Sequence, residues 1–190
     1  GIRDYIALIH LPGMDPREWD DEGRILELLS RQRQLNFPPG ERFMYSNSGY
    51  FLLGLIMERA ADSTLREWAD KLIFAPLKMT ATHFHDDHRE VVRCRAQGYS
   101  PLEEGGFQLD MTISEIVGDG GAFTTVADMF QWYRGLRNDT VCGGKGFTGQ
   151  MIVPGKLNSG LSTLYAAGLF VSVYRGERLI SHPGAYAGFR

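Results

Sequence analysis

Three groups of reactive side chains stand apart in the sequence. At residues 45–47 a phenol, a hydroxyl and a carboxamide follow one another as Tyr45-Ser46-Asn47, directly ahead of an apolar run. Far downstream, His182-Pro183-Gly184-Ala185 sets an imidazole beside a proline and a glycine. Between them, residues 82–88 read Thr-His-Phe-His-Asp-Asp-His. Each group offers different chemistry. A phenol that gives up its proton is a general base, an amide orients a partner, and a glycine lets a backbone come close to a substrate. A dense set of histidines and carboxylates is a transition-metal ligand set. As a bare pattern, His83, His85, Asp87 and His88 hold enough donors for two zinc ions.

The histidine cluster matches the His-x-His-x-Asp-His pattern and so resembles the metallo-β-lactamase-like hydrolases. Its flanks depart from that family. The lead-in Ala75-Pro76-Leu77-Lys78-Met79-Thr80-Ala81 is no buried strand, and Arg89-Glu90 stand where Gly-Gly usually opens a helix. Asp119 lies downstream, but no histidine falls between His88 and Asp119; the two remaining histidines are His10 and His182. The expectation is a polar surface loop, with no metal and no cofactor.

The elements that must position these residues can be read from apolar spacing. Asp21 to Arg33 reads as a helix, with Ile25, Leu28 and Leu29 on one face, and Asn36-Phe37-Pro38-Pro39-Gly40 breaks it. A second helix runs from about Asn47 to Ala61 with Phe51, Leu52, Leu55, Ile56 and Ala60 on its core side. Gly54 in its middle costs about 1 kcal/mol against alanine and points to close packing. Thr64-Leu65-Arg66-Glu67 is a capping box opening a third helix, whose core face is Leu65, Trp68, Ala69 and Leu72 and which ends at Pro76. Residues 76–120 read as mixed and loop-rich. Thr125 opens another helix, amphipathic through Val126, Met129, Phe130, Tyr133 and Leu136, and residues 138–163 read as irregular. From 164 the composition turns to strand, and Arg175-Gly176 between two apolar runs predicts a hairpin. Helices first and antiparallel strands last give an α+β layout.

Bulk properties exclude several functions. The 190 residues carry 20 basic and 23 acidic side chains, a net charge of −3, and 43% are hydrophobic. No basic block or stripe suits a nucleic acid or an anionic membrane surface, and no apolar run of about 18 residues predicts a membrane span. Cys94 and Cys142 lack metal-ligand spacing and read as two reduced thiols, with a single bridge in an exported protein as the alternative.

In context the Tyr-Ser-Asn triplet says more. Residues 37–62, Phe-Pro-Pro-Gly-Glu-Arg-Phe-Met-Tyr-Ser-Asn and the helix after it, resemble the second motif region of the serine β-lactamase-like hydrolases, which include class C β-lactamases, penicillin-binding proteins, esterases and D-amino-acid peptidases. Gly1-Ile2-Arg3-Asp4-Tyr5 resembles the stretch after that family's His-Thr-Ser-Gly. Ala75-Pro76-Leu77-Lys78-Met79 resembles its Pro-Leu-Gly-Met, with Lys78 for the glycine, and this places the histidine cluster in an ordinary loop. Gly118 to Leu136 resembles its glycine-rich turn and helix. His182-Pro183-Gly184 resembles the His-x-Gly form of its third motif. The resemblance implies a partial serine β-lactamase-like fold, an α+β arrangement of a helical region and part of an antiparallel sheet. It would form one incomplete domain over residues 1–190, with about 1–137 helical and looped and about 164–190 in strands.

It also implies roles. Tyr45 would be the base for a serine nucleophile, which asks that its pKa of about 10 fall to near 7, roughly 4 kcal/mol of differential stabilisation from nearby cations. Asn47 would hold the family's lysine and the substrate amide. His182 would face the site and bond to Tyr45 or to a substrate carboxylate. Gly184 would admit the substrate, and the Ala185 N–H would form half of the oxyanion hole. The substrate would be a small-molecule or peptide ester, amide or β-lactam.

The departure is the nucleophile itself. None of the serines, at positions 30, 46, 48, 63, 100, 114, 159, 162, 172 and 181, has a lysine three residues on. The Ser-x-x-Lys motif is therefore expected upstream of Gly1, in a longer enzyme of which this chain is an internal piece, inactive alone; an export signal would sit there too. Three other readings stand beside this one. They are a non-catalytic relative that binds a peptide or cell-wall fragment, a zinc-dependent hydrolase using His83, His85 and His88, and Ser46 or Ser48 as a substitute nucleophile.

Overall fold

The computed structural model describes residues 1–19 and 21–189. Helix α1 (Tyr5–His10) is opened by Asp4, whose carboxylate accepts from the Ala7 N–H. Helix α2 (Glu22–Ser30) starts on Asp21, which accepts from Gly23 and Arg24. Helix α3 (Asn47–Ala61) ends on Asp62 in the left-handed region. The capping box of Thr64 and Glu67 forms as read and opens α4 (Leu65–Ala69), which continues as a π-helical turn, Asp70–Phe74, before Pro76. Thr125 caps α5 (Val126–Arg137) by accepting from the Asp128 N–H, and α6 (Phe147–Met151) is short.

Among the described residues the strands pair into three separate two-stranded antiparallel sheets. Strand β1 (His83–Phe84) pairs with β4 (Ala122–Phe123), and β2 (Tyr99–Pro101) with β3 (Phe107–Leu109). Strands β5 (Phe170–Tyr174) and β6 (Glu177–Ser181) form the hairpin expected from Arg175-Gly176. Both turn residues have positive φ, 51° and 85°, as a two-residue turn between right-twisted strands requires.

Two cores result. Tyr5 and Ile9 of α1, Trp19, Ile25 of α2, Phe51 of α3 and Ile116 form one; Ala69, Phe74 and Met79 form the other, with Phe84 and Trp132 packed against it. Where α3 crosses the 116–121 turn, a Cβ on Gly54 would lie 3.5 Å from the Gly118 Cα. Among the described residues no helix is long and apolar enough to cross a membrane.

Three apolar faces differ from the sequence reading. Ile56 and Ala60 of α3 are exposed, because α1 and the 116–118 turn meet only the Phe51 side. Leu72 is exposed too, the π-turn having rotated Phe74 inward in its place. On α5 the difference is largest. Val126 is 90% exposed and Met129, Phe130 and Tyr133 also face out, while Asp128 and Gly135 are buried. The cause is local: Asp128 accepts from the Ala81 N–H and the Thr82 hydroxyl, both at 2.8 Å, and Gly135 packs on Leu77 and Val141. Polar anchoring turns the helix against its hydrophobic stripe.

Candidate active site

The entrance of α3 is fixed by α1. Ser46 sits at the N-cap but its hydroxyl makes no capping bond; it is buried without a hydrogen-bond partner. The cap comes from across the fold. One oxygen of Asp4 accepts the Asn47 backbone N–H at 2.6 Å and the Asn47 side-chain N–H at 2.9 Å. In return, the fully buried Ser48 accepts the Tyr5 N–H at 2.8 Å and donates to the Arg3 carbonyl at 2.7 Å. Each helix supplies the side chain that satisfies the other's first N–H, which no residue of its own helix can do. The role of Ser48 is thereby filled, and its hydroxyl has no access to a substrate.

With its amide nitrogen held by Asp4, Asn47 turns its Oδ1 to Tyr45, whose hydroxyl donates at 3.1 Å. The Tyr45 ring lies 5.6 Å from the His182 ring, centroid to centroid. His182 arrives from the end of β6, and Tyr165, which the sequence reading passed over, holds it: the Tyr165 hydroxyl is 3.1 Å from His182 Nε2. The expected bond from His182 to Tyr45 is thus replaced by ring contact, and the imidazole bonds instead to Tyr165 and, through Nδ1, to the Pro183 carbonyl at 2.7 Å. Phe43 and Phe170 complete the aromatic wall, at 5.3 and 4.8 Å from Tyr165. Beside it, Ile2, Phe43, Tyr45, Tyr50, Leu53 and Tyr165 line a cavity of about 250 Å³. Tyr165 was missed because it opens a stretch read only for its strand composition, and no motif includes it. Gly184 and Ala185 lie exposed just after β6, with open space around Gly184.

The electrostatics run against a phenolate. Burial raises the Tyr45 pKa above its usual value of 10, and Asp119 and Asp4 raise it further. Asp119 itself is pushed up to about 6 by burial, against the pull of the hydrogen bond it accepts from Tyr5 at 2.8 Å. The carboxylates that act on Tyr45, Asp119 and Asp4, thus oppose its ionisation.

The histidine cluster is not the polar surface loop expected of it. His83 lies in β1, and His85 is 5% exposed, its ring stacked on Phe123 at 4.2 Å. The cluster also divides. His83 and His85 gather with Glu90, whereas His88 turns away to Glu115 at 2.7 Å, beside Asp87. The four-residue, two-metal pattern is therefore not assembled. Cys94 and Cys142 are free thiols.

Comparison with known proteins bears on the whole chain. The family model described as Beta-lactamase matches residues 7–190. The D-aminopeptidase of Cereibacter sphaeroides is 28% identical over 200 residues, covering all of this chain and 36% of that protein; the D-aminopeptidase of Brucella anthropi is 28% identical over 193 residues, with the same coverage. The chain thus spans about a third of the length of these curated relatives. Among solved structures, a penicillin-binding protein from Bacillus halodurans superimposes with a TM-score of 0.74 at 25% identity, over 94% of this chain and 55% of that one.

Proposed function

The chain belongs to the beta-lactamase family, and from that premise we propose that it carries half of the acyl-transfer site of a serine hydrolase. The reaction we assign is hydrolysis of an amide or peptide bond next to a D-amino acid, through an acyl-enzyme. The relatives named D-aminopeptidase support that substrate class. The observation that carries the reading is the approach of the Tyr45 and His182 rings, 5.6 Å apart between centroids and contributed by chain segments on either side of α3–α6, with Tyr45 already bonded to Asn47.

In this reading Tyr45 takes the proton of a serine hydroxyl and passes it to the leaving amine. Asn47 keeps one amide N–H on Asp4 and has a second to offer a substrate carbonyl. His182, steadied by Tyr165, borders the leaving-group side, and the Ala185 N–H serves the oxyanion. The nucleophile and its lysine lie outside residues 1–190, in a domain that these residues share with further chain. The ammonium of that lysine is the cation that Asp4 and Asp119 await, and its arrival reverses their effect on Tyr45 by supplying the positive charge a phenolate needs.

The test is hydrolysis of a D-alanine anilide by the whole protein that bears this chain. Replacing Tyr45 by phenylalanine should lower kcat by a factor of roughly 100 or more, the contribution of a positioned general base. Equal rates for the two proteins would remove Tyr45 from the mechanism.

A further inference from the structure

A second site lies apart from Tyr45 and His182. We propose that His83 Nε2, His85 Nδ1 and the Glu90 carboxylate together bind one divalent transition metal, with zinc the best fit. The ligand atoms of the three residues all lie within 4.8 Å of one another. The two imidazole nitrogens are 3.3 Å apart. Two nitrogens each about 2.0–2.1 Å from a tetrahedral zinc stand about 3.3–3.4 Å apart, so this pair is spaced for a shared metal. The distance is also long for a direct hydrogen bond, which prefers about 2.9–3.0 Å.

The surroundings hold the ligands in place. The His85 ring lies against Phe123 at an interplanar angle of 17°, and His83 is in register with the same Phe123 across the β1–β4 pair. Arg66 grips both Glu90 oxygens, at 2.6 and 3.0 Å, and so sets the carboxylate as an outer-shell partner does. The other nitrogen of His85 is buried with no hydrogen-bond partner, an unfavourable state. A metal bond on Nδ1 is strong enough to offset that. Two cations, Arg66 and Arg95, stand nearby and oppose an added charge; Asp86 and Glu90 neutralise the first, and the second lies over the Phe123 ring. His83 also lines a cavity of about 910 Å³, through which water or a small ligand can reach it.

The experiment is titration of the full chain, stripped with chelator, with Co²⁺ and then Zn²⁺. Wild type should take up one equivalent of Co²⁺ with the visible bands of a four-coordinate site, release it to Zn²⁺, and melt at a higher temperature with Zn²⁺ present. His83→Gln and Glu90→Gln, each at a partly or fully exposed position and checked for fold by circular dichroism, should bind at least about 100-fold more weakly. His10→Gln should bind as wild type does. Absence of saturable one-to-one binding overturns the site. So does binding that survives both ligand variants, or that is lost equally in His10→Gln. None of these readouts depends on acyl transfer, so the proposed hydrolase function stands or falls separately.

Discussion

One oxygen of Asp4 accepts two hydrogen bonds from Asn47, one from its backbone and one from its amide side chain. That single contact caps α3, orients the amide and leaves Oδ1 facing Tyr45, while the other Asp4 oxygen caps α1. Asp4→Ala should therefore cost about 2–4 kcal/mol in urea denaturation, the sum of a lost cap and an unsatisfied N–H. Asp4→Asn, with one acceptor for two helices, should fall between. A loss below about 0.5 kcal/mol for the alanine variant, the range of an ordinary surface change, would show that the two helix ends do not depend on it.

Ser48 provides the control on catalysis. Its hydroxyl is engaged on both sides, by Tyr5 and Arg3, in a fully buried position. Ser48→Ala should destabilise by about 1–3 kcal/mol yet leave kcat per folded molecule of the active protein within a few-fold. A collapse of kcat with stability intact would make Ser48 a nucleophile and contradict the structure.

How far the sequence carried the fold can be seen at particular residues. Thr64, Glu67, Thr125 and the Arg175-Gly176 turn were legible because a cap or tight turn is a local device, decided within four residues. The outward stripe of α5 was not, because its direction is settled by Asp128 bonding to Ala81 and Thr82, 47 and 46 positions away. The candidate site divides the same way. Tyr45, Asn47 and His182 could be named from motif order. Asp4, which holds Asn47, lies in a stretch that resembles the family but carried no assigned role, Tyr165, which holds His182, lies in no motif, and only folding brings them there. His85 looked solvated because the residues around it, Phe84 apart, are polar, while its neighbour in space is Phe123.

The close crossing of α3 and the 116–121 turn separates two glycines by kind. A Cβ on Gly54 meets Gly118 Cα at 3.5 Å and Val117 O at 3.7 Å, ordinary contact distances, within a helix that gains from alanine. Gly54→Ala should thus be neutral or stabilising by up to about 1 kcal/mol. Gly118 has φ +105°, and a Cβ there would stand 3.0 Å from the Tyr50 carbonyl. Gly118→Ala should destabilise by about 1–3 kcal/mol through backbone strain. Thermal melts of the two variants should move in opposite directions or differ clearly; equal shifts would mean that the turn relaxes away from α3.

Asp119 sets a pH dependence of defined sign. Its folded pKa of about 6 stands above the ordinary carboxyl value of 3.8, because burial disfavours the carboxylate more than the Tyr5 hydrogen bond favours it. Below the unfolded value the acid is protonated in both states and contributes nothing unfavourable. As pH rises from about 4 to about 6, the unfolded chain releases this proton before the native one does, so stability falls, by up to roughly 3 kcal/mol from this group. Asp119→Asn keeps an acceptor for Tyr5 and has no proton to lose. Denaturation curves between about pH 4 and about pH 7 should therefore decline more steeply for wild type than for Asp119→Asn, and the variant should be the more stable of the two at neutral pH. Because all other titrating groups are common to both proteins, their difference isolates Asp119, and parallel curves would mean that its carboxylate is not held in a poorly solvated place. The lysine proposed above, if delivered beside Asp119, should cancel the same decline, since a cation stabilises the ionised acid where burial had opposed it.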